Sequence, residues 1–356
     1  MNTSTKLTNP IPILKTFSEG IILDTLVQLR TDTDTQSVTN VSSDQKKYQK
    51  RAKAKAISNA ITMRLVDVKS PMTKYYWRAY HCSNIITQTG QTLIGSYCNT
   101  RHCLVCNRIR TAKAIHGYSK PLLELSKSTS KHSHCLFSTL TRQSVKGEDL
   151  KRVITQMNSN YRNIQKNLKN TYGVTLKGIR KFECNYNPLE DTFNPHFHLV
   201  VGGKPCEILL QKTLWLNQYS KEEATPKAQK IMPTSEGFEL ELFKYMTKMV
   251  YEDGHIFPEA LDTIFRAIRG KRIIQPFGGI KKVSENVDGI QKEEVTFVEP
   301  YEGQWQFSDL VIDWINEWGE VLSNYTPSHE TIEYINNIKT SNNGSRNKTK
   351  PKPQRS

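Results

Sequence analysis

The segment Asn194-Pro195-His196-Phe197-His198-Leu199-Val200-Val201 is the strand from which the rest of this chain is interpreted. Side chains alternate along a strand, so His196 and His198 point to one face while Phe197 points to the other. Pro195 suits the beginning of a strand, where a ladder donor is not yet needed. Two imidazoles on one face can bind one divalent cation through a ring nitrogen each. Two ordinary surface or core histidines would show the same spacing. The neighbouring segments are therefore needed to decide between a metal-binding pair and an ordinary pair.

The segments before this strand predict its partners in a sheet. Gly178–Tyr186 is a second strand that ends at Asn187-Pro188, and two consecutive strands with a short connection are most simply antiparallel. Glu183 lies inside this partner strand, and we interpret it as the third metal ligand; a solvent-facing strand glutamate is the alternative. His134–Thr141 is a further strand, because it is rich in β-branched and aromatic residues.

Helices are predicted around the strands. Apolar residues at steps of three and four indicate an amphipathic helix over Gly147–Asn170. The other predicted helices are Asp44–Leu65, Lys113–Lys127, Lys204–Tyr219 and Glu239–Tyr251. In the last of these, residues four apart share a face, so Glu241 and Tyr245 are neighbours and Lys248 lies one turn further on. A phenol between Lys244 and Lys248 suits a nucleophile, although most tyrosines in helices are core or interface residues.

Four of the seven cysteines lie close together in the sequence. They are Cys82, followed by Cys98, Cys103 and Cys106 in a C-x4-C-x2-C pattern. Such short spacings place thiolates on a tight turn, and two pieces of this kind can form a tetrahedral Zn²⁺ site. The strand-like run Thr87–Tyr97 would bring Cys82 back to the others. His81 or His102 is the alternative fourth ligand, and reduced buried cysteines are the alternative to zinc.

The charge of the chain predicts the kind of partner. The 356 residues carry a net charge of +16, and the pI is about 9.4. Such an excess of Lys and Arg favours a polyphosphate partner, usually nucleic acid, over a merely basic protein. The candidate DNA-binding residues are Arg101, Arg108, Arg110, Lys244, Lys271 and Arg272. The sequence contains no apolar run of about 18 residues and no signal segment at Met1–Pro10, so we expect a cytoplasmic protein with reduced cysteines.

Four motifs in one order give a resemblance to a known family. The cysteine segment, FSTLT at Phe137–Thr141, PHFHLVV at Pro195–Val201 and KYMTK at 244–248 resemble the replication initiators of small rolling-circle plasmids, within the HUH endonuclease superfamily. The resemblance covers about Arg78–Lys282. It implies an α+β fold with a nuclease domain built on a central antiparallel sheet of about five strands, flanked by helices.

The resemblance also implies a chemistry. Glu183, His196 and His198 would hold Mn²⁺ or Mg²⁺, and Tyr245 would be the nucleophile that forms a 5′-phosphotyrosine. Lys248 and the metal would favour the phenolate. In the single-tyrosine branch of the family a glutamate lies one turn before the tyrosine and completes the reaction cycle. Glu241 occupies that position, and Glu239 competes with it.

The expected substrate is single-stranded or hairpin origin DNA, cut and rejoined in a sequence-specific way, with the flanking duplex held by the basic segments. A host helicase and a homodimer remain open as partners. The alternatives are an HUH transposase or relaxase of a mobile element, and a non-catalytic zinc-knuckle DNA-binding regulator. The cell compartment expected from the resemblance is the bacterial cytoplasm.

The domain organisation is predicted in five parts. These are a mostly disordered N-terminus (1–43), a basic helix with the cysteine-rich zinc-knuckle segment (44–127), the HUH endonuclease domain (128–285), a helical C-terminal extension (286–335) and a disordered basic tail (336–356). Within the extension, Asp309–Trp318 has the pattern of an amphipathic helix.

Overall fold

A computed structural model describes residues 41–127, 134–234, 238–243, 246–251, 254–287 and 289–340; of residues 239–241 it describes the backbone only. The helices are α1 (Ser43–Asp67), α2 (Thr73–Tyr80), α3 (Leu104–Lys127), α4 (Gly147–Tyr172), α5 (Pro205–Leu216), α6 (Phe238–Phe243), α7 (Pro258–Ile268) and α8 (His329–Thr340). The strands are β1 (Ile85–Gly90), β2 (Thr92–Ser96), β3 (His134–Thr141), β4 (Lys177–Asn187), β5 (Thr192–Gly203), β6 (Lys230–Pro233), β7 (Ile274–Phe277), β8 (Ile290–Glu294), β9 (Tyr301–Ser308) and β10 (Asp313–Ile315).

The histidine strand β5 is the centre of a five-stranded antiparallel sheet with the order β6-β3-β5-β4-β7. Phe182 and Phe197 are opposite each other on β4 and β5, and both side chains are buried against the helices on one face. The main cover on that face is α4, whose periodic apolar residues are all buried and which ends at Gly173 in the left-handed conformation. The predicted antiparallel sheet of five strands is therefore confirmed.

A second five-stranded antiparallel sheet has the order β10-β9-β1-β2-β8. It includes residues of the segment for which a helical extension is predicted, so the structure differs from the prediction here. Leu310 and Trp318 are 93% and 66% exposed, whereas Trp314 is fully buried opposite Phe307 of β9. The buried Asp313 carboxylate accepts hydrogen bonds from the backbone amides of Ser323 and Tyr325. Strand pairing and this buried acceptor override the helical periodicity of the sequence.

Helix α1 is the predicted basic helix, and several of its basic residues are bonded inside the protein. It lies in the core, where its alanines allow close packing and Lys55 is fully buried. The Lys55 ammonium donates to Asn59 Oδ1 at 3.0 Å and to the carbonyl oxygen of Tyr80. Arg51 donates to Tyr97 Oη and to Glu293 Oε1, each at 2.8 Å. Arg51 thus links this helix to Tyr97 after β2 and to Glu293 of β8 in the second sheet.

The helix predicted over 239–251 ends at Phe243 in the structure, and residues 246–251 are not helical. Met246 is bonded to the sheet instead, because its carbonyl oxygen accepts from the backbone amide of Cys184 in β4 at 2.9 Å. Helical spacing therefore does not relate Lys248 to Tyr245. Residues 1–40, Lys244, Tyr245 and residues 341–356 lie outside the described residues, so disorder at the two ends stays a prediction. In the part of the chain that is described, no helix is long and apolar enough to cross a bilayer.

Candidate functional site

Glu183, His196 and His198 meet on one face of the β4–β5 hairpin. Glu183 is directly opposite His196 in the register, and His198 is two residues along the same face. The Nε2 atoms of His196 and His198 lie 3.5 and 3.4 Å from Glu183 Oε2. One ligand atom from each residue lies within 4.8 Å of the others. The structure therefore brings together the three side chains that the sequence suggests as metal ligands.

The Nδ1 atom of each imidazole, which is the ring nitrogen that does not face Glu183, has a hydrogen-bond partner. His196 Nδ1 is 3.0 Å from the carbonyl oxygen of Asn194, and His198 Nδ1 is 3.2 Å from Thr139 Oγ1 on β3. A carbonyl oxygen only accepts, so Nδ1 of His196 donates the proton and Nε2 keeps its lone pair. Proteins orient metal-binding histidines in this way. Two imidazole nitrogens and one carboxylate oxygen also fit a cation such as Mn²⁺ by ligand type, so the residues present suit a metal ion.

Lys181 is the partner of the Glu183 carboxylate. Its side chain is 2% exposed, and its ammonium lies 2.5 Å from Glu183 Oε1. Burial alone would raise the pKa of Glu183, but the Lys181 charge and the hydrogen bonds with His196 and His198 hold this pKa well below its usual range. Glu183 is therefore ionised at neutral pH, with Oε1 held by Lys181 and Oε2 facing both imidazoles. Sequence reasoning missed Lys181, although its position two residues before Glu183 places it on the same strand face.

We expect Thr139→Val to weaken Mn²⁺ binding about 10-fold or more, the lower end of the range for partners of metal-binding histidines. The substitution keeps the side-chain shape and removes the hydroxyl that holds His198 Nδ1. Isothermal titration calorimetry with Mn²⁺ measures the effect. Thr141→Val is the matched control, because the Thr141 hydroxyl contacts Arg142 O and Asn194 Oδ1 and is bonded to neither imidazole. Equal affinities for the two variants would contradict a role for Thr139.

The four predicted cysteines also form one cluster. Cys82 Sγ and Cys98 Sγ each lie 3.6 Å from Cys106 Sγ, and all four sulfur atoms lie within 4.8 Å of one another. A tetrahedron with Zn–S bonds of about 2.3 Å places its sulfur atoms about 3.8 Å apart, so the cluster has the size of a zinc site. The backbone amides of Cys98 and Cys106 donate to Cys82 Sγ and Cys103 Sγ. Among the described residues, neither His81 nor His102 belongs to this group.

All four arginines predicted to contact DNA are bonded inside the protein. Arg110 is buried, and its guanidinium donates to oxygen atoms of Asn99, Thr100, Asn107 and Glu285. The remaining predicted residues with internal contacts are Arg101 (to Glu285), Arg108 (to Lys50 O), Arg272 (to Ile274 O and Val283 O) and Lys271 (to Thr155 Oγ1). Arg110 therefore holds the loop around Cys98 instead of presenting its charge to solvent.

The described residues before and after Tyr245 contact the strands that carry the candidate metal ligands. Before it, Leu242 and Phe243 pack with Ile179 and Val200, which share the strand face of Glu183 and His198. After it, the backbone of Met246 is bonded to Cys184, the residue next to Glu183. Lys248 is exposed, and its ammonium lies 4.8 Å from the centre of the Tyr251 ring. The described contacts of Lys248 therefore give no support to its predicted role beside Tyr245.

An antiparallel sheet with a His-x-His pair and an opposed glutamate on one face, preceded in the sequence by a four-cysteine cluster, is the arrangement that the resemblance implies for HUH-type initiators. Residues 91–207 of the chain match a family model described as "Replication protein". This segment contains the three candidate metal ligands and three of the four cysteines. The resemblance to plasmid replication initiators is therefore confirmed over these residues.

Individual relatives agree with the family match. The chain is 32% identical over 106 residues to "Protein rep" of Staphylococcus aureus, which covers 30% of this chain and 44% of that protein. It is 33% identical over 110 residues to "Protein rep" of Bacillus amyloliquefaciens, with 30% and 31% covered. The aligned part thus spans less than half the length of these curated relatives. No solved structure was found to match the chain.

Proposed function

We propose that this protein is a plasmid replication initiator that nicks single-stranded origin DNA and rejoins it through a covalent bond to Tyr245. The observation that carries the proposal is the convergence of Glu183, His196 and His198, with both Nδ1 atoms held on the outside and both Nε2 atoms facing one carboxylate oxygen. The match to replication proteins supports the choice of origin DNA as the substrate.

Chain connectivity supports Tyr245 as the nucleophile. Met246 is bonded through its carbonyl oxygen to the amide of Cys184, and Cys184 follows Glu183 in β4. Consecutive Cα atoms are about 3.8 Å apart, so Tyr245 is one peptide unit from a residue anchored beside a candidate metal ligand. Tyr251 is a poorer candidate, because burial raises its pKa and its hydroxyl donates to the carbonyl oxygen of Tyr186.

The residues then have the following roles. Glu183, His196 and His198 would hold a divalent cation, which supplies Lewis-acid polarisation of the scissile phosphate. The Tyr245 phenol loses its proton to solvent, and its oxygen forms the new bond to phosphorus. The bond from phosphorus to O3′ breaks, and the departing O3′ takes a proton from solvent to become a free 3′-OH. The phosphodiester energy is retained in the adduct, so attack by a 3′-OH can rejoin the strand. We assign activation of the final hydroxyl or water to Glu241, with Glu239 as the alternative.

The proposal predicts a covalent adduct on one defined end of the cut DNA. Tiled single-stranded oligonucleotides from the replicon that encodes the chain are incubated with protein and Mn²⁺ and then separated on a denaturing gel. The protein attaches to the 5′-phosphate, so 3′-labelled DNA should shift with the protein, whereas 5′-labelled DNA should be released as a shorter free strand. We expect Tyr245→Phe to reduce the adduct at least about 10³-fold, because no nucleophile remains.

The control variant is Tyr251→Phe, which removes a nearby phenol of the same segment and should form the adduct normally. Adduct that persists in Tyr245→Phe, or a shift of the 5′-labelled strand, would contradict the proposed chemistry. A protein that binds the oligonucleotides and forms no adduct with any of them would instead favour the non-catalytic DNA-binding regulator.

A further inference from the structure

A cleft with a volume of about 500 Å³ lies between α2, the loop around Cys98 and the segment that follows α7. Its walls include Tyr75, Arg78, Thr100, Arg269 and Lys271. We call it the arginine cleft. It is outside the group formed by Glu183, His196 and His198, and the mechanism above assigns no role to it.

The cleft has a large excess of positive charge. Its cationic lining residues are Arg78, Arg101, Arg110, Arg269, Lys271 and Arg272, against the carboxylate of Glu285. Glu285 is already used, because it pairs with Arg101 at 2.5 Å and accepts from the backbone amide of Ile274 at 2.8 Å. A concave surface with one sign of charge concentrates ligands of the opposite sign. The chemistry of the cleft therefore favours an anion with several charges.

Three of the six cationic side chains are held in the cleft walls by internal hydrogen bonds or an ion pair. The other three form no ion pair with a carboxylate among the described residues and can bind a ligand. Arg101, Arg110 and Arg272 hold the walls through the internal bonds described above. Arg78 makes a 3.5 Å contact with the carbonyl oxygen of Cys98, Arg269 lies over the Tyr75 ring at 4.4 Å and donates to its hydroxyl, and Lys271 donates to Thr155 Oγ1 at 2.9 Å. Within the described part of the chain, none of these three forms a salt bridge with a carboxylate.

A buried imidazole also lines the cleft. His102 lines the cleft, is 2% exposed and packs edge-on against the Tyr76 ring at 4.8 Å. Its Nε2 atom has no hydrogen-bond partner among the described residues. Burial lowers the pKa of His102 to about 4, so the imidazole is uncharged at neutral pH and is not counted among the phosphate contacts.

The cleft adjoins the candidate catalytic face. Arg101, Arg110 and Glu285 form a wall shared with a second, narrower cleft, which is lined by Lys181 and Met246 beside the candidate metal ligands. The arginine cleft is therefore adjacent to a cleft that includes Lys181, the partner of Glu183. We propose that the arginine cleft binds the phosphodiester backbone of the DNA that flanks the nick, with Arg78, Arg269 and Lys271 as its contacts. This inference rests on the proposed function and identifies the residues that hold its substrate.

The test measures DNA affinity against salt in a Tyr245→Phe background, so that covalent capture does not contribute. Fluorescence anisotropy with a labelled single strand and, separately, with duplex gives the slope of log K against log salt. Neutralising two phosphate contacts by Arg78→Gln with Arg269→Gln should reduce the magnitude of the slope by about 1.4 for a single strand or 1.8 for duplex. The strand whose slope changes identifies the form of DNA that occupies the cleft.

The matched control is Lys166→Gln with Lys169→Gln, which removes two exposed charges from α4 and should leave the slope unchanged. Arg269 packs on Tyr75, so Lys271→Gln with Arg78→Gln is a second variant that avoids this contact. Slopes equal to that of the control for both cleft variants, with both DNA forms, would overturn the inference. The adduct assay on the unmodified protein tests the proposed function separately. That assay depends on Tyr245, whereas the salt slopes are measured in its absence.

Discussion

Replacement of both His196 and His198 by glutamine is expected to abolish Mn²⁺ binding at the candidate site and to reduce adduct formation at least about 10³-fold. Glutamine keeps a polar side chain of similar length but has no imidazole nitrogen for the cation. Charge stabilisation by a bound metal contributes several kcal/mol to a transition state, and each 1.4 kcal/mol is about tenfold in rate. Calorimetric titration with Mn²⁺ and the rate of adduct formation on 3′-labelled DNA measure the two effects.

The control for this experiment is the double change His116→Gln with His329→Gln, which removes two exposed imidazoles elsewhere in the described structure. It should leave both Mn²⁺ affinity and the adduct rate near those of the unmodified protein. Mn²⁺-dependent adduct formation that survives the loss of His196 and His198 would show that the cation binds elsewhere, and the proposed metal site would then be wrong.

Loss of zinc from the four-cysteine cluster should have the largest effect on stability. The purified protein is expected to contain about one equivalent of zinc, and a chelator or Cys103→Ser should lower the melting temperature by about 10 °C or more. Structural zinc contributes about 10–16 kcal/mol in isolated zinc-finger peptides, and 1 kcal/mol changes the melting temperature of a larger domain by about 2–4 °C. Half of that stabilisation would therefore change the melting temperature by about 10 °C or more.

The position of the cluster gives the physical reason for such a shift. Its cysteines pack with Ala79 of α2, Tyr97 after β2, Val105 of α3 and Val287. The cluster thus joins segments that are far apart in the sequence. Differential scanning calorimetry with and without chelator measures the effect, and Cys206→Ser is the control because this cysteine is exposed and outside the cluster. Less than about half an equivalent of zinc, with melting unchanged by chelator, would contradict the zinc assignment.

The elements that position the candidate metal ligands could be predicted from the sequence because their patterns are local. The alternation around His196 and His198 gives the strand and its faces, and the short turn after Tyr186 gives the antiparallel pairing with β4. The apolar steps of α4 agree with its buried face. In each case the period of the pattern and the tertiary environment favour the same structure.

Long-range contacts explain what could not be predicted. Trp314 has a helical pattern around it, but it is buried by pairing with β9 and by the bonds that Asp313 makes to the chain ten residues later. Residues 246–251 are not helical, and the Met246 carbonyl oxygen is bonded to β4. Lys181 acquires its role only when β4 folds so that its ammonium meets the Glu183 carboxylate. The partners of Trp314 and Met246 are not visible within a window of local sequence, whereas Lys181 is only two residues from Glu183 and its spacing could have indicated the pair.

The most direct test of the central claim is to locate the DNA on the protein. The adduct formed with Mn²⁺ is digested with a nuclease and a protease, and mass spectrometry identifies the peptide that carries the remaining nucleotide. We predict a 5′-nucleotide phosphate bonded to Tyr245. A nucleotide bonded to Tyr251 or to any other residue would contradict the proposed active site.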